Sequence, residues 1–146
     1  VKVHDQQFKI YEDHSNHMDE SIRTRIDEIL GVIRSFKDAE RVRFIILYGS
    51  ALRGEGWSDI DLAVYYDGTP DEAADFRLRV LCEVDEIFDV QIFQQLPLYV
   101  RVQVLRGEVV YCDSERFLHD IAWETVKEFD DFKHRFYDYI GMAPMR

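Results

Sequence analysis

The sequence predicts a single domain of the α/β (α+β) class, with a small mixed β-sheet flanked by helices. Three observations point there. The chain has 146 residues, 47% hydrophobic and 14% aromatic, which is enough for one packed core and too apolar for disorder. Segments of three- and four-residue periodicity alternate with short runs rich in β-branched and aromatic residues. There is no internal repeat, low-complexity tract or linker, so the order α-β-α-β-α-β-α-β-α belongs to one domain. Residues 1–17 show no clean period and read as an N-terminal arm. Residues 18–146 read as the domain.

The elements follow in order. From Asp19, the residues Ile22, Ile26, Ile29, Leu30, Ile33 and Phe36 recur at helical steps, with Asp19 or Ser21 as cap. "VRFIILYG" (Val42 to Gly49) is a short apolar run that stops at glycine, as a central strand does. "SALRG" opens a short helix. "IDLAVYY" (Ile60 to Tyr66) is a second strand, ended by the turn Asp67-Gly68-Thr69-Pro70. Thr69 caps the next helix with Pro70 at its first position. That helix runs to about Val84 with Phe76, Val80 and Leu81 inward. "IFDVQIF" (Ile87 to Phe93) is a third strand. Pro97 opens a short helix that turns Val100 and Val104 inward, and Gly107 breaks it. "EVVYC" (Glu108 to Cys112) is a small strand. Ser114 then caps a long helix through Phe117, Ile121, Val126, Phe129, Phe132, Phe136 and Ile140. Its aromatics outnumber what one packing face needs, so most read as core and part as a partner interface.

Charge and cysteine content narrow the function classes. The formal net charge is −11. Binding nucleic acid through the general surface needs clustered Lys and Arg, so direct nucleic-acid binding is not expected. Cys82 and Cys112 lie in apolar surroundings and read as buried reduced thiols rather than a disulfide framework. No apolar run approaches membrane-spanning length. The N-terminus is polar and carries His4, His14 and His17, whose spacing fits neither a signal peptide nor a common zinc pattern. A cytoplasmic protein is expected.

The chemistry gathers between Tyr48 and Tyr66. Side chains alternate along a strand, so Asp59 and Asp61 point the same way, with Cα atoms about 7 Å apart at a rise of about 3.4 Å per residue. Two ionised carboxylates that close repel, and desolvating them is costly. A divalent cation makes such a pair tolerable, and hard oxygen ligands suit Mg2+, which takes substrate phosphates as further ligands. Asp89, between Phe88 and Val90 in the third strand, completes a site for two ions if its strand lies beside the second. Gly49-Ser50 supplies a close backbone approach, a hydroxyl and the N–H groups that follow. Arg53 stands one turn further on, ready to meet a polyphosphate.

The stretch "GSALRGEGWSDIDLAV" resembles the Gly-Ser…Asp-x-Asp signature of the polymerase-beta-like nucleotidyltransferase superfamily, and the chain's small size resembles its minimal nucleotidyltransferase (MNT) branch. Arg53-Gly54, "FDVQIF", "LPLYVRVQVLRGEVVYC" and the terminal helix carry the resemblance across roughly residues 20–140. The eight-residue loop from Ala51 to Ser58 is shorter than is common in the family. The resemblance implies the polymerase-beta-like fold, ATP as substrate and two Mg2+ ions on Asp59, Asp61 and Asp89. It also implies a catalytic role for Ser50 with these carboxylates, Asp89 serving as base, and phosphate binding by Gly49, Ser50 and Arg53. MNT proteins often pair with a HEPN-domain ribonuclease toxin. The implied activity is therefore transfer of AMP from ATP to a tyrosine of a cognate toxin, within a hetero-oligomer. The acidic surface suits a basic partner.

Two rival functions remain at this level. One is nucleotide transfer to a small hydroxylated molecule, which the lack of a second substrate-binding domain disfavours. The other is a non-catalytic antitoxin that blocks its partner by occlusion, which the retention of all three carboxylates with Gly49-Ser50 disfavours.

Overall fold

The computed structural model describes residues 19–53 and 58–141. The N-terminal arm and its three histidines lie outside the described residues. Helix α1 (Glu20–Arg34) starts where Asp19 accepts a hydrogen bond from the Ser21 N–H at 2.8 Å. It buries Ile22, Ile26, Ile29, Leu30 and Ile33, the stripe its spacing predicts. A single 3-10 turn, Ala39–Arg41, leads into strand β1 (Val42–Tyr48). The one-turn helix α2 (Ser50–Arg53) follows, then strand β2 (Ile60–Tyr66). Helix α3 (Pro70–Glu83) opens on a reciprocal cap, in which the Thr69 hydroxyl accepts from the Glu72 N–H while the Glu72 carboxylate accepts from the Thr69 N–H. Strand β3 (Phe88–Ile92), a 3-10 turn at Phe93–Gln95, helix α4 (Leu98–Val104) and strand β4 (Glu108–Cys112) come next. Helix α5 (Glu115–Ile140) is capped by Ser114 and ends at Gly141, which has a φ of +74°.

The strands form one mixed sheet in the order β3-β2-β1-β4. β1 is antiparallel to both β2 and β4, while β2 and β3 run parallel. Each face carries its own packed layer. Ile45 and Leu47 of β1, with Leu62 and Val90, pack against α1 and α3. Phe44 and Ile46, with Ala63 and Phe93, pack against α4 and α5. Both central strands are buried on both faces, which is why they read as near-continuous apolar runs. β1 carries a bulge near Arg43. That residue's guanidinium lies 3.9 Å from the Phe117 ring centroid and 2.9 Å from Asp113, tying the start of α5 to the sheet.

Two expectations are corrected. Cys82 is exposed and Cys112 half-buried, both as free thiols. The cause is helical geometry: Phe76 and Val80 set the inward face of α3, and two residues beyond Val80 the helix has turned outward. On α5, only Leu118 and Thr125 are buried. Trp123 (67%) and Val126 lie off the face that Leu118 and Thr125 bury, and beyond Phe129 the helix outruns the sheet, so Phe132, Phe136, Tyr139 (89%) and Ile140 face solvent. Where it leaves the body, Phe129 still meets Tyr99 of α4, their rings 6.3 Å apart.

Candidate active site

Strand pairing decides which carboxylates meet. In the parallel β2–β3 register, Asp61 lies directly opposite Asp89; in the antiparallel β1–β2 register, it lies opposite Tyr48. Ile60, Leu62, Phe88 and Val90 belong to the layer against α1 and α3. Asp61 and Asp89, alternating with them, therefore share the opposite face, as does Tyr48, which packs against the α4–α5 layer. The site lies where β1 ends and where β2 and β3 begin. The Ile60 N–H donates to the Ile87 carbonyl at 2.8 Å, pinning the start of β2 to β3.

Gly49 closes the site from β1. Its φ is +79°, a left-handed conformation open to glycine and costly for other residues. A β-carbon built there would overlap Oδ2 of Asp61 and stand 3.2 Å from its Cγ. The turn that ends β1 thus rests its backbone on the carboxylate. Ser50, half-buried, opens α2, and Arg53, exposed, ends it. Asp59 is exposed and lies one residue before β2.

The electrostatics follow from this packing. Burial first, then the negative charges of Asp89 and Asp59, push the Asp61 carboxyl above its ordinary range, while Arg53 pulls the other way. The Tyr48 hydroxyl is pushed up to about 12 by burial and by the charges of Asp61 and Asp89. Asp89 is exposed, and its Oδ1 accepts a hydrogen bond from Gln91 Nε2 at 2.8 Å.

The structure therefore gathers Gly49, Asp61 and Asp89, with Asp59 and Arg53 within electrostatic reach of Asp61. Among the described residues, no three His, Cys, Asp or Glu side chains are clustered tightly enough to hold a metal ion between them. The Asp61–Asp89 pair nonetheless fits Mg2+ by its chemistry. The two groups are hard oxygen donors whose mutual repulsion a cation would relieve, and Mg2+ is commonly held by one or two carboxylates plus substrate phosphates.

Sequence reasoning missed Tyr48 and Gln91. Gln91 was within reach, since two residues after Asp89 on a strand means the same face. Tyr48 was not, because its place beside Asp61 depends on the β1–β2 register.

Comparison with known proteins settles the family. The polymerase beta nucleotidyltransferase family matches residues 31–116, more than half of the chain. The chain belongs to this family. As a nucleotidyltransferase it has relatives of more particular kinds. "Putative protein adenylyltransferase MJ1547" of Methanocaldococcus jannaschii is 25% identical over 91 residues, 62% of this chain and 72% of that protein. A chain from the complex of tri-AMPylated Shewanella oneidensis HEPN toxin with MNT antitoxin superposes with a TM-score of 0.60 at 18% identity. That match covers 81% of this chain and 93% of the other. A chain from a toxin–antitoxin structure with AMP-PNP gives a TM-score of 0.56 at 20% identity, covering 80% and 93%. At these identities the structural matches establish the shared fold. The family resemblance read from Gly49-Ser50 and Asp59-Ile60-Asp61 is borne out, as is the fold class. No helix among the described residues is long and apolar enough to cross a membrane.

Proposed function

We propose that this nucleotidyltransferase is a Mg2+-dependent protein adenylyltransferase serving as an antitoxin. It moves AMP from ATP onto a tyrosine of a cognate HEPN-domain ribonuclease toxin and so silences it. The observation that carries this reading is the facing pair Asp61–Asp89 with the Gly49 turn resting on Asp61. Support comes from the relative named as a protein adenylyltransferase and from a shared fold with a complex whose toxin is AMPylated.

Each residue then has a task. The Gly49 backbone, the Ser50 hydroxyl and the Arg53 guanidinium hold the β- and γ-phosphates of ATP. Asp61 and Asp89 would hold Mg2+, with Asp59 turning in from its exposed place before β2 to complete a site for up to two ions, and the metal would neutralise charge on the phosphate oxygens. The tyrosine oxygen attacks the α-phosphorus, forming one P–O bond as the bond to pyrophosphate breaks. Asp89, exposed at the mouth of the site, accepts the phenolic proton. The net charge of −11 favours approach to a basic toxin. The reading places the protein in the cytoplasm, where Cys82 and Cys112 stay reduced, and assigns catalysis to residues 18–146.

The test is neutralisation. Asp59→Ala plus Asp61→Ala is expected to abolish protection of cells against the toxin while the two proteins still co-purify. A double variant that protects as well as wild type would mean that occlusion, not chemistry, silences the partner.

A further inference from the structure

Asp89, the second residue of β3, is the exposed member of a like-charged pair, so its orientation depends on what it bonds to. Asp61 faces it across the parallel register, so their two negative charges oppose each other at close range. A neighbouring amide steadies the Asp89 carboxylate. Gln91, two residues along the same face of β3, donates its amide to Oδ1 of Asp89 at 2.8 Å. Gln91 is half-buried and paired in register with Ala63, a fully buried small residue that leaves room beside it. A glutamine suits this place for a physical reason. An Arg or Lys would hold the carboxylate in an ion pair that lowers its basicity, whereas a neutral amide fixes its orientation and leaves its negative charge unpaired for a proton or a cation.

We propose that Gln91 is a positioning residue for adenylyl transfer: its amide holds the Asp89 carboxylate beside Asp61, in place to receive the tyrosine proton and to serve a divalent cation. Gln91 touches neither ATP nor the tyrosine; it acts through Asp89. The inference rests on the adenylyl-transfer reading above.

Two variants of the full chain test it, measured with ATP and the toxin. Gln91→Met keeps length and removes the donor; Gln91→Glu keeps shape and sets a carboxylate against Asp89. Gln91→Met is expected to lower kcat about tenfold with KM for ATP unchanged within about twofold, and Gln91→Glu to lower it further. Melting temperature should stay within about 2 °C of wild type. Independently of turnover, Mn2+ binding to the nucleotide-free protein, followed by electron paramagnetic resonance, should weaken about tenfold in Gln91→Met. Wild-type kcat together with wild-type Mn2+ affinity in Gln91→Met would overturn the inference. So would losses of both that merely track a fall in melting temperature. A wild-type protein that never modifies its toxin would sink the functional reading instead, and the Mn2+ measurement would still decide whether Gln91 holds Asp89.

Discussion

Replacing Gly49 by alanine should damage chemistry far more than stability, and the size of both effects follows from the structure. The residue has a φ of +79°, so alanine there carries a left-handed strain of about 1–2 kcal/mol. In a chain of this length that is a fall of roughly 3–8 °C in melting temperature. The added β-carbon would also overlap Oδ2 of Asp61. To restore ordinary contact, the carboxylate must move by on the order of 1 Å, a displacement worth about a hundredfold in rate at a reacting centre. Gly49→Ala is therefore expected to fold and to transfer AMP about a hundredfold more slowly when assayed well below its melting temperature. Gly31 is the control. It lies in α1 with nothing within 4 Å of an added β-carbon, so Gly31→Ala should stabilise by about 0.5–1 kcal/mol and leave turnover unchanged. Turnover comparable to wild type in Gly49→Ala, confirmed folded by circular dichroism, would refute the claim that this turn positions Asp61.

Three further outcomes can be measured. Glu108 is 1% exposed, and among the described residues neither carboxylate oxygen has a hydrogen-bond partner; burial pushes its carboxyl up to about 7 despite the pull of Arg23. The fold therefore keeps a proton that the unfolded chain releases above the usual carboxylate range. Stability should fall as pH rises from about 4.5 to about 7, with up to about 3 kcal/mol lost by the top of that window. Glu108→Gln should flatten this slope in urea unfolding at pH 5 and pH 8; an unchanged slope would clear Glu108 of the cost. Asp61→Asn should abolish transfer yet melt no lower than wild type at neutral pH, because the folded state holds the Asp61 carboxyl above its ordinary range and so disfavours its charge. A lower melting temperature would mean that the carboxylate is structural. Removal of divalent ions with EDTA should stop transfer, and excess Mg2+ should restore it; turnover that survives chelation would exclude the proposed metal dependence.

Local patterning carried most of the fold. Periodicity placed the Ile22-to-Ile33 stripe of α1, turn chemistry at Thr69-Pro70 placed α3, and β2 and β4 begin and end where their apolar runs do. These features depend on neighbours a few residues away. The candidate site is legible as a residue set because Gly49, Asp59, Asp61 and Asp89 stand out against apolar strands. Its geometry is not, since Asp61 meets both Asp89 and Tyr48 through strand order and register, which are long-range properties. The same limit hid the orphaned carboxylate of Glu108, paired in register with Leu47. It also explains α5, whose apolar stripe continues past the end of the surface available to cover it.

The central claim is that the Asp61–Asp89 site transfers AMP to a partner protein. The most direct measurement is the intact mass of the cognate toxin after incubation with ATP, Mg2+ and either wild-type protein or Asp61→Asn. The expected result is an adenylyl mass increase on the toxin, mapped to tyrosine, with wild type only. An unmodified toxin in both reactions, or equal modification in both, would contradict it.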